Sequence, residues 1–259
     1  MRAARLCLPL LAGCLAAAAQ TLEARFLSEF RRVGASGEII AADAAGKPRE
    51  IISPAAIRNG YTSFHLVVKG PPGTPFMLYI ASNPDGVLRP ALYRVTNADR
   101  LEQVKGLSES GKFNEQGAGV YWLDLWTPAN TPVRRIRVEA QLNVGRDFVI
   151  TPLEVRVLAG VVPAQAAPVT RKTGGNSAAG AFALLGQSLC GAAGSGATAT
   201  GPDPFTVPGK IMRNAGQDML LARKLGPLAL KDTWCAAPRE AADPETYLRI
   251  RDAIWRLNQ

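Results

Sequence analysis

Trp122, Asp124 and Trp126 occupy alternate positions in the stretch GVYWLDLWTP. Alternate side chains of a β-strand point to the same face of the sheet, so these three share one face and Leu123 and Leu125 share the other. Indole rings can stack on sugar rings while a carboxylate accepts hydrogen bonds from sugar hydroxyl groups. The pattern therefore predicts a candidate ligand-binding site at Trp122, Asp124 and Trp126.

A second interpretation of the same stretch involves packing alone. The aliphatic face belongs in a core, and the two tryptophans can be covered by C-terminal helices or by a long loop. We favour packing over ligand binding, because large aromatic side chains on a sheet more often contact protein than ligand.

His65 is the single histidine of the sequence. It lies opposite the apolar side of its predicted strand and has no G-x-S-x-G motif nearby, so we expect a half-exposed histidine without a catalytic role. One histidine without a cysteine cluster argues against a zinc site, and TGGNSAAG lacks the lysine of a phosphate-binding loop. The sequence predicts no metal and no cofactor.

Carboxylates offer a different route to catalysis, because a pair of them can hydrolyse a glycosidic bond without histidine. The candidates are Asp124, Glu139, Asp147 and Glu154. Nothing in their spacing brings two of them together, so a carbohydrate-active hydrolase is an alternative and a non-catalytic protein is preferred.

Residues 1–19 have the composition of a signal peptide. Arg2 and Arg5 precede an uncharged apolar run that is shorter than the roughly 20 residues of a spanning helix. We expect an exported protein, periplasmic or secreted, with no transmembrane helix. The letters LAGC also match a lipobox, and lipidation of Cys14 would give a membrane-anchored lipoprotein. Because the apolar run continues past Cys14 to Ala19, where a lipoprotein usually has a polar tether, we favour cleavage at the A-x-A site before Gln20.

The remaining cysteines and the charge restrict the compartment and the partners. Cys190 and Cys235 predict a disulfide in an oxidising space, with two buried thiols as the alternative. The net charge of +9 is spread along the chain without a basic cluster, so we expect no nucleic acid as partner. An envelope protein or a glycan is the expected partner.

Period-two hydrophobicity dominates the middle of the chain. In VRRIRVEAQLNVG, Ile136, Val138 and Ala140 alternate with polar residues, which is typical of an antiparallel strand with one buried face. Turn signals such as KGPPGTP and NVGRD separate about seven such runs. The sequence predicts an immunoglobulin- or fibronectin-like antiparallel β-sandwich over residues 37–159, with a longer loop from Asn97 to Gly119.

The flanking segments have a different character. Leu22, Phe26 and other apolar residues at near-helical spacing predict a short N-terminal helix over residues 20–36. Residues 160–176 have the composition of a linker. Residues 177–259 predict a small helical region that carries the disulfide. Its expected helices run over 177–191, over 211–225 and onward from Asp243, the expected cap, and Pro244. The fold class is therefore mainly β with a small α region.

One local stretch, IRNGYTSFHLVV at residues 57–68, resembles a strand in the N-terminal β-sandwich accessory modules of some secreted glycoside hydrolases. The matching residues are Arg58, Asn59, Tyr61, Ser63, Phe64, Leu66, Val67 and Val68. Such modules precede a large catalytic barrel, for which this chain has no room. The resemblance implies a sandwich module standing alone.

The sequence thus predicts an exported, non-catalytic binding or assembly module of the cell envelope that contacts carbohydrate or a protein partner. Two alternatives stand beside it. One is the hydrolase with paired carboxylates. The other is a periplasmic chaperone or secretion accessory protein, which would need an open strand edge.

Overall fold

The computed structural model describes residues 21–40, 54–81, 86–164, 203, 205–225 and 244–259. Within these ranges lie ten strands and two α-helices. The strands are β1 (Glu23–Ser28), β2 (Ala55–Arg58), β3 (Gly60–Lys69), β4 (Pro75–Ala81), β5 (Arg89–Val95), β6 (Leu101–Gln103), β7 (Ser108–Lys112), β8 (Ala118–Thr127), β9 (Arg135–Val144) and β10 (Asp147–Val161). The helices are α1 (Val207–Leu225) and α2 (Pro244–Leu257).

The strands form two five-stranded sheets. Sheet 1 has the order β1-β3-β8-β5-β6, and sheet 2 has the order β2-β10-β9-β4-β7. The strand pairs are antiparallel apart from β2 and β10, which run parallel. The predicted β-sandwich with a small helical region is confirmed.

The core between the sheets contains the apolar residues that the alternating pattern singled out. From β3 and β8 come Phe64, Leu66, Val68, Tyr121, Leu123 and Leu125, and from β4, β9 and β10 come Phe76, Leu78, Ile80, Ile136, Val138, Ala140, Leu142, Leu153, Val155 and Val157. These side chains are removed from water, which is the main favourable contribution to the stability of the sandwich.

A second apolar cluster lies outside the sandwich, where α1 packs on the outer face of sheet 1 and α2 packs against α1 and the end of β10. Its buried members are Phe30, Ile57, Tyr93, Leu101, Trp122, Leu158, Val162, Val207, Ile211, Ala215, Leu221, Ala222, Ile254 and Trp255. The helices are therefore packed onto the sandwich, the route to stability that a small helical region needs.

The hairpin between β9 and β10 sets the register of sheet 2. Val144 pairs with Asp147, so Gly145 and Arg146 form a two-residue loop. Gly145 has a φ of 61°, a left-handed conformation that such tight hairpin loops require and that glycine adopts without strain. With this register, Phe148 lies opposite Asn143.

The predicted N-terminal helix is wrong, because Glu23–Ser28 is strand β1 and pairs with β3. Leu22, Phe26 and Phe30 are four residues apart, a spacing that suits one face of a helix but also one face of a strand. Phe26 packs against the core and lies edge-on to Phe64 at 6.3 Å. Pairing with β3 decides between the two structures, and the sandwich begins earlier than residue 37.

The loop predicted from Asn97 to Gly119 is also wrong, since it contains β6 and β7. The stretch SESGK of β7 has no large apolar residue, so hydrophobic periodicity could not reveal it. At the other end of the sandwich, β10 extends to Val161, two residues into the predicted linker.

Helix α1 confirms and extends the helix expected over 211–225, and α2 begins at Pro244 as expected. The signal peptide, Cys14, Cys190, Cys235, Asp243 and the helix expected over 177–191 lie outside the described residues. Among the residues that are described, no helix is both long and apolar enough to cross a membrane.

Candidate functional site

Asp124 is at the centre of a polar layer buried between the outer face of sheet 1 and α1. Its strand, β8, directs the carboxylate to that face, where Ser63 of the adjacent β3 is its cross-strand partner. The Ser63 hydroxyl donates to Asp124 Oδ1 at 2.7 Å, and Trp122 Nε1 donates to the same oxygen at 2.7 Å. The sheet thus supplies two donors to one carboxylate oxygen.

Helix α1 supplies two positive charges to the same carboxylate. Arg213 Nη1 donates to Oδ2 and Nη2 to Oδ1, each at 2.9 Å, and Lys210 Nζ donates to Oδ2 at 3.0 Å. The Arg213 guanidinium lies 3.6 Å from the centre of the Tyr61 ring, and Lys210 Nζ lies 4.0 Å from that of Tyr93. Each cation therefore contacts a carboxylate and an aromatic ring of the sheet.

These contacts keep Asp124 ionised. Burial by itself would raise the pKa of the carboxyl group, but the hydrogen bonds and charge of Arg213, with the charge of Lys210, outweigh it and lower the pKa to about 2. Asp124 therefore cannot act as a general acid near neutral pH, because the proton that such an acid must donate is already lost.

A second group of buried charges continues this layer toward α2. Arg251 Nε donates to Asp218 Oδ2 at 2.8 Å, and Trp255 Nε1 donates to Asp218 Oδ1 at 2.8 Å. Arg251 also forms a salt bridge with Glu29, which accepts a second hydrogen bond from Asn214. Burial raises the pKa of Glu29, and the charge of Arg251 opposes that rise.

The two groups are joined by Asn214, whose amide nitrogen also donates to Ser63 Oγ at 2.9 Å. We call the combined set the buried polar layer: Glu29, Ser63, Trp122, Asp124, Lys210, Arg213, Asn214, Asp218, Arg251 and Trp255. It contains three acidic and three basic side chains, so it is electrically balanced. Buried ions need such pairing to offset the cost of removing them from water.

His65 lies next to this layer and is buried, not half-exposed as expected. Its ring stands edge-on to Trp122 with centroids 5.0 Å apart. Burial lowers the pKa of the imidazole to about 4, so it is neutral at physiological pH. Ser63, His65 and Asp124 are the residue types of a hydrolytic triad, but the Ser63 hydroxyl donates to Asp124 and not to the histidine.

The structure shows where the predicted ligand-binding residues lie. Trp122 and Asp124 are buried beneath α1, as the packing interpretation expects, and Trp126 is half-buried with its ring 4.7 Å from that of Tyr61. The three side chains do share one face of β8. A ligand-binding role for them stays a prediction.

The other candidate carboxylates lie elsewhere, on or beside the outer face of sheet 2. Arg137 Nη2 lies 2.8 Å from Glu139 Oε1, and Arg135 Nη1 lies 3.7 Å from Glu154 Oε2. Asp147 is at the start of β10, next to the hairpin loop. None of the three is near Asp124, which lies in the other sheet. Among the described residues, no group of three or more histidine, cysteine, aspartate or glutamate side chains could hold a metal ion.

A second feature, on the outer face of sheet 2, is apolar and open to water. We call it the exposed apolar surface: Met77 (49% exposed), Tyr79 (41%), Phe148 (67%) and Ile150 (45%). Asn143 of β9 is the cross-strand neighbour of both Phe148 and Met77, and Gln141 is that of both Ile150 and Tyr79. The four apolar residues therefore flank two amides in two parallel rows across three strands.

Sequence reasoning missed the contribution of α1 to the buried polar layer. Lys210, Asn214, Gln217 and Asp218 follow one another at helical spacing, which is usually typical of a solvated stripe. Here that stripe faces the sheet, and Gln217 Oε1 accepts a hydrogen bond from the Tyr61 amide at 2.7 Å. The available signal was that both α1 and the strands of sheet 1 contain polar residues. Matching these residues requires knowing that α1 packs on sheet 1.

No family model and no curated protein matches this sequence. Solved structures with similarity include a family 123 glycoside hydrolase from Clostridium perfringens, at 13% identity over 55% of this chain, with a TM-score of 0.35. This chain spans only 28% of that hydrolase. The hydrolase is the kind of protein that the sequence resemblance indicated, and the match is weak.

Two further similar structures are smaller. The PapD-like domain 7 of human CEP192 matches at 8% identity, with 61% of this chain and 96% of that domain covered and a TM-score of 0.26. The fimbrial major subunit AggA of Escherichia coli matches at 9% identity, with 40% and 90% covered and a TM-score of 0.26. Similarities of this size carry no argument about activity.

Proposed function

We propose that this protein is an exported, non-catalytic binding or assembly module of the cell envelope, and that it binds through the exposed apolar surface on sheet 2. The observation that carries the proposal is the contrast between its two outer faces. The polar and charged side chains on the outer face of sheet 1 bind one another and α1. On the outer face of sheet 2, by contrast, water contacts the apolar side chains of Met77, Tyr79, Phe148 and Ile150.

The buried polar layer supports a structural role for its residues. Asp124 accepts hydrogen bonds from four different side chains, and α1 covers it. A catalytic carboxylate must reach a substrate, so Asp124 would act only after α1 had moved away. The layer instead fixes the helices to the sandwich, which supports a rigid scaffold as the basis of the proposal.

The exposed apolar surface supports the binding role. Single exposed hydrophobic residues are ordinary, but four of them grouped on one sheet face are typical of an interaction site. The four side chains are fixed by strand pairing across β4, β9 and β10. Because the strands are already ordered, binding would cost little conformational entropy.

An open strand edge, which a chaperone would need, has weaker support. Strand β7 is at one edge of sheet 2, and its Glu109 side chain is directed inward and only 10% exposed. Arg94 lies 3.3 Å from that carboxylate. Inward-pointing charges and short length discourage another strand from pairing at an edge.

Photocrosslinking in the native host tests the proposal. A photoreactive amino acid is placed at position 148, and in a matched control at position 205, where Phe205 is 53% exposed on the helical side of the molecule. We expect a defined adduct with an envelope component from position 148 and none above background from position 205. Equal labelling from both positions, or none from position 148, would contradict the proposal.

A further inference from the structure

The spacing of the side chains in the exposed apolar surface restricts what it can bind. Phe148 and Met77 lie on either side of Asn143, two strand spacings or about 10 Å apart. Ile150 and Tyr79 form the next row along the same strands, about 7 Å away. The four side chains therefore project from one face of one sheet and can enter an apolar layer together.

Four basic residues lie on the same outward face, at different distances from these rows. Lys112, opposite Pro75, is one row from Met77, whereas Arg135 and Arg156 are opposite each other about 20 Å beyond Ile150. Four basic side chains point outward from sheet 2: Lys112, Arg135, Arg137 and Arg156. Two acidic side chains point the same way, Glu139 and Glu154. The face is net positive, and so is the whole chain, at +9.

We propose that the exposed apolar surface, on this net positive face, docks on a membrane that contains anionic phospholipid. Met77, Phe148 and Ile150 would enter the boundary between headgroups and acyl chains, and Lys112 would lie at the level of the phosphates. Apolar insertion combined with electrostatic attraction is how peripheral proteins bind such membranes. This inference rests on the proposed function, because it names the partner of the same surface.

Two other occupants fit the face less well. A second copy of the chain would bring one net positive face against another, which like charges oppose. A glycan could use the Asn143 and Gln141 amides and the Tyr79 hydroxyl, but the other three side chains of the surface, Met77, Phe148 and Ile150, offer its hydroxyls no hydrogen bond. A lipid layer satisfies both the apolar centre and the positive charge.

Vesicle flotation with the chain from Gln20 onward, which contains every described residue, tests this inference. The probes are vesicles of equimolar phosphatidylglycerol and phosphatidylcholine and vesicles of phosphatidylcholine alone. We expect binding to the anionic vesicles that weakens as salt is raised, and much weaker binding to the neutral ones. The double variant Phe148→Thr/Ile150→Thr should bind at least about tenfold more weakly, since burial of side chains of this size contributes that much.

The matched control is the double variant Phe205→Thr/Leu257→Gln, which removes two equally exposed apolar residues from the helical side of the molecule. It should bind as the unaltered protein does, and circular dichroism should show that both variants are folded. Absence of binding, or equal loss in both double variants, would overturn the lipid proposal. If vesicles fail while position 148 still crosslinks to a protein or glycan, the proposed function stands and only the lipid is wrong.

Discussion

Beneath α1, the outer face of sheet 1 contains Ser63 and Asp124 in hydrogen bonds with a helix, while across the sandwich the outer face of sheet 2 presents Phe148 and Met77 to water. This is the reverse of what residue polarity alone would suggest. The difference shows that polarity does not decide exposure where a covering element brings complementary charges. The buried face determines stability, and the open face is available for binding.

Trp122→Ala should have the largest effect of the changes considered. Trp122 is fully buried and donates to Asp124, so its removal leaves a cavity and a lost hydrogen bond. We expect a loss of about 4–5 kcal/mol in the free energy of unfolding, measured by urea denaturation. If glycan binding were lost while the melting curve stayed unchanged, Trp122 would belong to a ligand site after all.

Arg251→Met comes next. The substitution leaves the carboxylates of Glu29 and Asp218 without the cation between them, and breaking a buried ion pair in this way costs about 3–4 kcal/mol. Arg256→Met is the control on the same helix, because Arg256 pairs with Asp252 in an exposed i,i+4 contact. The control should change stability by less than about 0.5 kcal/mol. Equal effects would mean that burial does not distinguish the two pairs.

Lowering the pH should reduce the free energy of unfolding through Asp124, which lies in the buried polar layer. Because the pKa of Asp124 is lower in the folded chain than its ordinary value of 3.8, its ionisation stabilises the fold above about pH 4. That contribution, about 2 kcal/mol, is lost as the pH falls toward 2. Asp124→Asn should be less stable at neutral pH and should lose less stability between pH 4 and 2. Parallel curves for the two proteins would contradict this assignment.

Phe148→Thr should have the smallest effect on stability. Threonine retains the preference for a strand, and Phe148 is mostly exposed, so the free energy of unfolding should change by less than about 0.5 kcal/mol. The same variant should lower crosslinking or vesicle binding if the open face is the binding surface. A large loss of stability would show that Phe148 is covered by protein and would remove the contrast between the faces.

The period-two pattern predicted the inner faces of both sheets well, because alternation in β9 reports directly on one buried side. It failed for β1, where a spacing of four residues suits both a helix and a strand. It also failed for β7, which contains no apolar residue larger than glycine. These elements are held by pairing with distant strands, and single-sequence patterns do not carry that information.

The candidate site was predictable only in part. The alternation that places Trp122, Asp124 and Trp126 on one face is local, and the structure retains it. Its contacts with α1 are not local. Arg213 is 89 positions from Asp124 in the sequence, and Lys210 is 86 positions away. The sequence pattern identified Asp124 but not its basic partners. For that reason, a residue of the buried polar layer was interpreted as part of an open ligand-binding site.

The salt bridge between Glu29 and Arg251 spans 222 positions of the chain. During synthesis, the N-terminal strand emerges long before the helix that completes this contact. Until α1 follows, Trp122 and Asp124 on the outer face of sheet 1 would be exposed to water, and until α2 follows, Glu29 and Asp218 would lack Arg251. We expect final docking to be slow and late, since contacts this distant require most of the chain to be present. Truncation before α2 should therefore yield a chain that aggregates through the side chains that α2 covers, with Glu29 and Asp218 lacking Arg251.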